Sequence, residues 1–389
     1  MEKATREQTK FHNTRLVLKT IYQHGAISRA EIARITHLTR TTVSDIVSDL
    51  IASGLLVETG TGSSIGGKPP IILQLQENAR QLICLDLSGG QCSGALLNLR
   101  GKILKRGQET FDGTNGEGAL SAVCRLLDRM VPQVSAPLIG IGVGVPGLTD
   151  PDQGIVRQAV HLHWTDLPLK KIIQERFQIP VYLCNDSHAA AQAEYTFGQM
   201  RRSPNLILIR IGQGIGAGII LSGRIHSGDS HGAGEIGHLT VVEGGRLCSC
   251  GNYGCLETVA TPEAIVQRLR ELVMTGPDAH WPAVIDWNFV CQMFAAGDET
   301  VSAVIQEAGR YLGISIASLV SVLNIRRIVI SGRYREFGEV FLEAVRCEVQ
   351  RRALPATAAE TQLVHSNLDP DIILLGVSAL VLAQEMGLP

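Results

Sequence analysis

One histidine and three cysteines lie close together in the second half of the chain, at His238, Cys248, Cys250 and Cys255. Imidazole and thiolate groups are the ligands that tetrahedral Zn²⁺ prefers. The glycines between the last two cysteines allow a tight turn that could bring both thiols to one ion. Because four protein ligands leave no open coordination position, the pattern predicts a structural zinc site rather than a catalytic one. A redox pair of thiols and unrelated buried cysteines are the alternative interpretations.

Two glycine-rich loops, at residues 86–90 and 212–218, each follow a short apolar segment. The backbone N–H groups of such loops can approach phosphate groups closely. Carboxylate, amide and imidazole side chains occur on or beside further glycine-bearing loops, namely Asn185, Asp186, Glu235, His238 and Glu257. Each hydroxyl of a sugar both donates and accepts hydrogen bonds, and these side-chain types can bond two neighbouring hydroxyls at once. The set therefore predicts a site for a polyhydroxylated ligand.

The N-terminal region has the pattern of a helix–turn–helix. A first helix is expected over 16–25, where apolar residues recur at helical spacing. Ser28 and Glu31 form a capping-box signature at the start of a second helix. Thr39 is placed to cap a third helix, whose apolar residues recur every three or four positions.

A wing is expected to follow the third helix. Gly54 should end that helix in the left-handed conformation, and strands over 55–57 and 71–75 should pair across a glycine-rich loop. Short hydroxyls and one arginine near the start of a helix suit base edges and phosphates in a major groove. The candidate DNA contacts are Arg40, Thr41, Thr42 and Ser44 on the third helix and Lys68 in the wing. A small helical cap for protein contacts is the alternative interpretation.

Composition limits the class of protein. The chain has 389 residues, 45% of them hydrophobic and 19% charged, which is ample material for a folded core. Its net charge of −2 argues against a chain that coats nucleic acid along its whole length, but not against one DNA-binding module. The N-terminus lacks an apolar signal segment, and the apolar runs are shorter than the roughly 20 residues a membrane-spanning helix needs. A cytoplasmic protein without membrane attachment is expected.

After residue 80 the pattern alternates between strands and helices, with a hairpin at its start, which predicts α/β layers. Helices are expected over 188–197 and 307–323, among others. The predicted domains are a winged helix–turn–helix over 1–78, a first α/β lobe over 79–190 completed by a C-terminal helix over 376–389, and a second lobe over 191–375 that carries the zinc site and an oligomerisation surface.

Several motifs together resemble the ROK family of repressors, open reading frames and sugar kinases, specifically its repressor branch. They extend over most of the chain and comprise GGKPP, GVGVPGLTD, NDSHAAAQAE, GQGIGAGIILSGRIHSG, GAGEIGH, CSCGNYGCLE and LVSVLNIRRIVISG. The resemblance implies two actin-like α/β lobes with a sugar cleft between them, a zinc ion near that cleft, and assembly as homodimers or homotetramers. It also implies that Asn185, Asp186, Glu235, His238 and Glu257 line the sugar site.

The kinase motifs of that family are altered in this sequence. The first phosphate loop reads Asp86-Leu-Ser-Gly-Gly where kinases carry Asp-x-Gly-Gly-Thr, and Gln213 stands where kinases have threonine in the second loop. The kinase-type Pro-Asn-Leu, which holds a sugar contact, reads Val-His-Leu at 160–162. Asp186 corresponds to the general base of a kinase and would be the catalytic residue if the chain were one.

The functional prediction is a sugar-responsive DNA-binding regulator rather than an enzyme. We expect a repressor of carbohydrate-utilisation genes that a sugar or sugar phosphate releases from its operator. An ATP-dependent sugar kinase with a DNA-binding extension and a repressor controlled by a partner protein are the two alternatives. A single winged module reads only one half-site of an operator, so a dimer is expected.

Overall fold

The N-terminal module is a small helical bundle with a wing. The computed structural model describes residues 5–62, 69–111, 116–275, 281–282 and 284–388. The elements of the module are α1 (Arg6–His24), β1 (Ile27–Ser28), α2 (Arg29–Thr36), α3 (Arg40–Ala52), β2 (Leu56–Thr61) and β3 (Ile71–Leu75). Strands β2 and β3 pair antiparallel, and β1 joins them on the other edge of β3. The predicted winged helix–turn–helix is confirmed.

Local hydrogen bonds start the module's helices where the sequence indicates. The Ser28 hydroxyl accepts from the Glu31 amide and the Glu31 carboxylate accepts from the Ser28 amide, which completes the capping box of α2. The Thr39 hydroxyl accepts from the Thr42 amide at the start of α3. The first helix begins ten residues earlier than expected because Thr5, with Gln8, forms a second capping box.

The first lobe is built on a five-stranded mixed sheet. Its elements are β4 (Gln81–Asp86), β5 (Gln91–Asn98), β6 (Ile103–Thr110), α4 (Gly116–Met130), β7 (Leu138–Val145), β8 (Leu148–Asp150), β9 (Ile155–Ala159), β10 (Trp164–Leu167), α5 (Leu169–Phe177) and β11 (Val181–Asn185). The strand order is β11-β7-β4-β5-β6, with parallel pairing of β11, β7 and β4 and antiparallel hairpins after β4. Strands β8 to β10 form a separate small sheet.

The second lobe repeats this arrangement. Its elements are α6 (Asp186–Phe197), β12 (Leu206–Ile211), β13 (Ile215–Leu221), β14 (Arg224–Ile225), α7 (Glu257–Ala260), α8 (Pro262–Thr275), α9 (Trp287–Ala295), α10 (Glu299–Leu323), β15 (Arg327–Gly332), α11 (Gly338–Arg352), α12 (Pro355–Ala359) and β16 (Gln362–His365). The last helix, α13 (Ile372–Met386), packs against α6 and against β7 and β4 of the first sheet. The strand order is β14-β13-β12-β15-β16, with the hairpin of β12 and β13 antiparallel and β12, β15 and β16 parallel. The predicted α/β class with two lobes is confirmed.

Three further helix starts were placed too late by the sequence patterns. Helix α6 begins at 186 rather than 188 because the Asn185 side chain caps it, and α10 begins at 299 because Asp298 caps it. The C-terminal helix α13 begins at 372 rather than 376; its N-cap residue Asp371 makes no capping hydrogen bond, because its carboxylate pairs with Arg106. The boundaries of the predicted domains remain predictions. No helix among the described residues is both long and apolar enough to cross a membrane.

Helices α6 and α13 lie side by side and connect the lobes to the N-terminal module. A Cβ atom at Gly376 of α13 would lie 1.8 Å from the carbonyl oxygen of Ala189, so only glycine allows this approach. At the other end of α13, the Arg15 guanidinium of α1 donates to the Gln384 carbonyl. One hydrophobic cluster accordingly includes buried residues of the module, both sheets, α6 and α13.

Candidate functional site: a cleft between the lobes

The two glycine loops form the tips of equivalent hairpins, one in each sheet. The loop at 87–90 connects β4 to β5, and the loop at 212–214 connects β12 to β13. A Cβ atom at Gly90 would lie 3.3 Å from the Gln213 amide nitrogen, so the two loops meet across the cleft. Short hairpin turns are common, but here a turn from each lobe faces the other, which makes the pair part of one site.

A cavity of about 310 Å³ lies between the lobes, a size typical of small-ligand sites. Its lining includes all five residues predicted to bind a sugar, Asn185, Asp186, Glu235, His238 and Glu257. These residues come from positions up to 72 apart in the chain and are brought together by the start of α6, the loop before α7, and α7 itself. Whether each one contacts a sugar remains a prediction.

The Asn185 side chain is largely engaged in holding the loop. Its Oδ1 atom accepts from the amides of Ser187 and His188 at 2.9 and 3.0 Å, which caps α6. Its Nδ2 atom donates to the Gly147 carbonyl at 2.9 Å. These three bonds leave one amide hydrogen for a ligand, so Asn185 has a larger part in shaping the cavity than the sequence suggested.

Asp186 is tied to an arginine that the site prediction did not include. The Arg210 guanidinium donates to Asp186 Oδ2 at 2.9 Å and to the Ser88 hydroxyl at 2.6 Å. Ser88 in turn donates to Asp86 Oδ1 through its amide and its hydroxyl, at 2.8 and 2.6 Å. Burial raises the pKa of Asp86, against the opposing effects of Arg210 and Ser88. This chain of bonds joins the two lobes.

A signal for Arg210 was present in the sequence. It is the one charged residue of the strand LILIRI, whose other members are buried, and a charge in such a strand needs a partner. Spacing alone could not identify that partner, because Ser88 lies 122 positions away and Asp186 lies 24 positions away.

The other two carboxylates that line the cavity, Glu235 and Glu257, have different surroundings. Glu257 Oε1 accepts from the Ile215 amide at 2.8 Å, and its Oε2 lies 3.8 Å from His238 Nδ1. Glu235 also lines the cavity, and desolvation there raises its pKa, with His238 acting in the opposite direction. These acceptor-rich groups suit the hydroxyls of a sugar.

The four predicted metal ligands converge at the cavity wall, where His238 and Cys250 are among the lining residues. The ligand atoms of His238, Cys248, Cys250 and Cys255 all lie within 4.8 Å of one another and could hold a metal ion. The sulfur atoms of Cys250 and Cys255 are 3.7 Å apart, and Cys248 Sγ lies 3.6 Å from His238 Nδ1. Tetrahedral Zn²⁺ with Zn–S bonds of about 2.3 Å requires S–S separations of about 3.8 Å, so the arrangement fits such an ion.

The turn that forms this cluster depends on a glycine. Gly254 has φ +70°, and a Cβ atom there would lie 1.7 Å from the Val242 carbonyl oxygen.

A backbone hydrogen bond from Asn252 is the main factor that lowers the pKa of the Cys250 thiol, which favours the thiolate form that metals bind. His238 lines the sugar cavity as well, so the metal cluster and the cavity share a wall.

The predicted DNA-binding residues lie at the start of α3. Arg40 and Thr41 are exposed, whereas Thr42 and Ser44 are half-buried. The hydroxyl of Thr42 lies 2.9 Å from that of Thr39 and forms part of the cap. Lys68 lies outside the described residues. Arg40 and Thr41 are therefore the side chains of this set most available to DNA, and their role remains a prediction.

Comparison with known proteins identifies the family. The ROK family model matches residues 82–384, and a winged helix–turn–helix DNA-binding model matches residues 11–57. The chain belongs to the ROK family. It joins a ROK domain to a DNA-binding module, as the sequence motifs predicted.

Among curated proteins, the chain is similar to the xylose repressor of Caldicellulosiruptor bescii, with 33% identity over 97% of both chains. It is also similar to the transcriptional dual regulator NagC of Escherichia coli, with 33% identity over 92% of this chain and 89% of that one. These relatives are named as regulators, which supports the prediction that the chain is not an enzyme.

Among solved structures, a ROK family transcriptional regulator described as a homologue of the Escherichia coli Mlc protein has a TM-score of 0.85 and 30% identity, covering 97% of this chain and 96% of that one. A ROK glucokinase from Streptomyces griseus, solved with glucose and a nucleotide analogue, has a TM-score of 0.70 and 25% identity. It covers 77% of this chain and 98% of its own. The ROK domain thus has the sugar-kinase fold, and the regulator match extends further along the chain.

Proposed function

We propose that this protein is a sugar-responsive transcriptional repressor of carbohydrate-utilisation genes. It acts in the cytoplasm as a homodimer or homotetramer, binds an operator through α3 and the wing, and leaves the operator when a sugar or sugar phosphate occupies the cleft. The observation that carries the proposal is a polar interlobe cavity joined by packed helices to a winged DNA-binding module.

The connection from cavity to module follows two helices. Asp186 in the cavity is the first residue of α6. Helix α6 packs against α13 at Gly376, and α13 holds α1 of the module through Arg15. Close-packed helices shift as units rather than deforming gradually. A movement of α6 on ligand binding would therefore reach the DNA-binding module.

Ligand binding would act by changing the separation or orientation of the two DNA-binding modules in the dimer. Closure of the lobes around a sugar shifts the equilibrium only as far as the sugar prefers the closed state. Such couplings are about 1–3 kcal/mol, or about 5- to 150-fold in affinity. A changed separation of the modules no longer matches the half-site spacing of the operator, and DNA affinity falls.

The metal cluster is proposed to hold a structural Zn²⁺ ion. When bound, the ion would fix the loop that carries His238 and thus one wall of the sugar cavity. Four protein ligands leave no coordination position for a substrate, so the ion would have no part in chemistry. The cysteines are free thiols, which is compatible with metal binding.

A kinase activity is disfavoured by the surroundings of Asp186. A general base must be free to accept a proton from the attacking hydroxyl. Here the Arg210 guanidinium already donates to Asp186 Oδ2 at 2.9 Å and occupies one of the carboxylate oxygens that a general base would use. The hydroxyls that kinases of the family carry in both phosphate loops are also replaced, by Gly90 and Gln213. Control by a partner protein remains the second alternative.

The test is DNA binding by the full chain with and without sugars. A duplex selected from a random pool by the protein is titrated by fluorescence anisotropy, in the presence of a panel of sugars and sugar phosphates. We expect at least one compound to weaken DNA affinity fivefold or more. Failure of the whole panel would overturn sugar control and favour control by a partner protein.

Two variants connect the response to the cavity. Glu235→Gln should retain DNA affinity and lose most of the sugar response, because the carboxylate lines the cavity without a structural hydrogen bond among the described contacts. Glu360→Gln, at an exposed ion pair with Arg326, is the matched control and should respond as the native protein does.

A further inference from the structure

One turn of the first lobe contacts the DNA-binding module directly. It is the turn at 98–102, between β5 and β6. Arg100 in this turn donates from Nη1 to the Tyr22 carbonyl at 2.7 Å, and its guanidinium carbon lies 4.3 Å from the centre of the Tyr22 ring. Tyr22 lies in the last turn of α1 and is only 3% exposed. The turn therefore reaches a buried part of the module.

The chemistry of Arg100 suits the end of a helix. The last carbonyl groups of an α-helix have no partner within the helix, and the helix dipole places partial negative charge there. Arg100 supplies both a hydrogen-bond donor and a positive charge at that end of α1. A guanidinium over the face of a tyrosine ring is attracted by the ring electrons as well. Three kinds of interaction thus hold the end of α1 to the first lobe.

The turn that carries Arg100 is held in one conformation. The side-chain oxygen of Asn98, which is 1% exposed, accepts from the amides of Arg100 and Lys102 at 2.9 and 3.0 Å. Its side-chain nitrogen donates to Asn78 Oδ1 at 2.9 Å, and Arg100 Nε lies 3.3 Å from Glu77 Oε1. Glu77 and Asn78 belong to the segment that connects the module to the first lobe. The turn therefore fixes both α1 and this connecting segment.

The same turn packs against the helix that starts in the sugar cavity. A Cβ atom at Gly101 would lie 3.1 Å from the Phe197 ring and 3.4 Å from the Leu375 side chain. Phe197 is the last residue of α6, whose first residue, Asp186, lines the cavity, and Leu375 is on α13. The contacts therefore run from the cavity along α6 to this turn, and from Arg100 to α1.

This route reaches α1 at a different point from the contact made by α13. The Arg15 guanidinium, which donates to the Gln384 carbonyl of α13, lies near the middle of α1. Arg100 holds the last turn of the same helix. A helix held at one point can pivot about that point, whereas a second point fixes its direction.

We infer that Arg100 is a positioning residue, which sets the direction of the DNA-binding module and passes the movement of α6 to it. With Arg100 in place, the two modules of a dimer keep one separation, which matches the half-sites of the operator. A displacement of Phe197 on ligand binding would move the turn, and Arg100 would move the end of α1 with it. The second part of this inference rests on the proposed function, whereas the first requires only a dimer that binds DNA.

The test measures how strictly the full chain reads the spacing of two half-sites. A duplex selected from a random pool is compared by fluorescence anisotropy with duplexes in which two or four base pairs are inserted between the half-sites. We expect each insertion to weaken DNA binding by the native protein tenfold or more, because two base pairs rotate one half-site by roughly a fifth of a turn. Arg100→Gln should lose less than threefold on insertion, because its modules are no longer held in one direction.

Two further variants separate positioning from charge and from folding. Lys102→Gln removes a positive charge from an exposed position of the same turn and should keep the native dependence on spacing. Arg100→Lys keeps the charge but lacks the planar fork that reaches Tyr22 and Glu77 together, so its dependence on spacing should fall between native and Arg100→Gln. It carries the test if Arg100→Gln fails to fold. A merely structural role would weaken binding to every duplex alike and leave the ratios between duplexes unchanged.

The sugar response of the same variants is the second readout, measured with a compound that weakens DNA binding by the native protein. We expect the response of Arg100→Gln to fall below twofold. Its affinity for the compound, measured by isothermal titration calorimetry, should stay within threefold of native, because Arg100 is not among the residues that line the sugar cavity.

The outcomes separate this inference from the proposed function. Native dependence on spacing in Arg100→Gln, or a native protein indifferent to the insertions, would overturn the positioning role. Relaxed spacing with a full sugar response would overturn transmission through Arg100 and leave its positioning role standing. If no compound changes DNA binding by the native protein, sugar control and transmission are both overturned, and the spacing measurement still decides whether Arg100 positions the module.

Discussion

The winged module and the cleft hold their functional side chains in different ways. On α3, Arg40 and Thr41 are exposed and project from a helix that is started by a neighbouring residue, Thr39. In the cleft, Asp186 and Arg210 bind each other and are less than one-sixth exposed. DNA needs free donors on a convex surface, whereas a small ligand needs groups held in place before it arrives.

This difference predicts where each kind of substitution acts. Changes in the cleft region alter contacts between distant segments and should disturb the fold as well as ligand binding. Changes in the module should alter DNA affinity and leave the lobes intact. The following experiments test that division, beginning with the largest expected effect.

Replacement of a metal ligand should have the largest effect. Cys255→Ser removes a buried thiol, and we expect bound zinc to fall from one ion per chain to near zero, with a large drop in melting temperature, because structural zinc contributes folding free energy directly. Metal content by mass spectrometry and melting temperature are measured together. Cys347→Ser, at an exposed cysteine outside the cluster, should change neither. Full metal content in Cys255→Ser would remove it from the ligand set.

Gly376→Ala should weaken the coupling between ligand binding in the cleft and DNA binding by the module. A Cβ atom there would lie 1.8 Å from the Ala189 carbonyl oxygen, so α13 must move away from α6. Overpacking of this kind costs about 1–3 kcal/mol in the free energy of unfolding. We expect that loss in urea unfolding, together with a weaker effect of sugar on DNA binding. Ala383→Ser, on an exposed position of the same helix, is the control, and an unchanged sugar response in Gly376→Ala would contradict the helical connection.

Arg40→Ala should weaken DNA binding without affecting the lobes. Loss of one exposed arginine at the start of α3 should reduce DNA affinity about tenfold. The slope of log affinity against log salt concentration should become shallower by about one, which corresponds to one phosphate contact. Anisotropy titrations at several salt concentrations measure both. The melting temperature and sugar affinity should stay at native values. Lys171→Ala, on the first lobe, is the control for loss of a positive charge, and an equal effect there would indicate attraction to charge alone.

Glu31→Gln should have the smallest effect. Hydrogen bonds from Ser28 lower the pKa of the Glu31 carboxyl, so its folded-state pKa lies below its unfolded value. The ionised Glu31 carboxylate therefore contributes to the free energy of unfolding at neutral pH, and this contribution is lost as the pH falls through the lowered pKa of the folded state. The side chain is exposed, so we expect a loss of only a few tenths of a kcal/mol at pH 7 and no difference from native at low pH. If the variant and the native protein differed more in free energy of unfolding at low pH than at pH 7, the predicted direction would be wrong. Glu7→Gln serves as the control.

The parts of the fold that local interactions decide were predicted well. The capping box at Ser28 and the cap at Thr39 join residues three apart, so their pattern is visible in any window of the sequence. The metal cluster follows from close spacing, since Cys250 and Cys255 are five positions apart across a turn. The starts of α6 and α10 were misplaced only because Asn185 and Asp298 were not recognised as caps.

The sequence by itself determined the module, the metal cluster and the types of side chain in the cleft, because each depends on neighbours in the chain or on residue chemistry. Only the tertiary structure decided that Arg210 binds both Asp186 and Ser88. It also decided that the Asn185 amide donates to the Gly147 carbonyl and that α13 joins the cleft to α1. These contacts join residues 24 to 369 positions apart, or assign a polar group to one of several partners within reach. Such choices depend on how the sheets and helices pack, which no local pattern specifies.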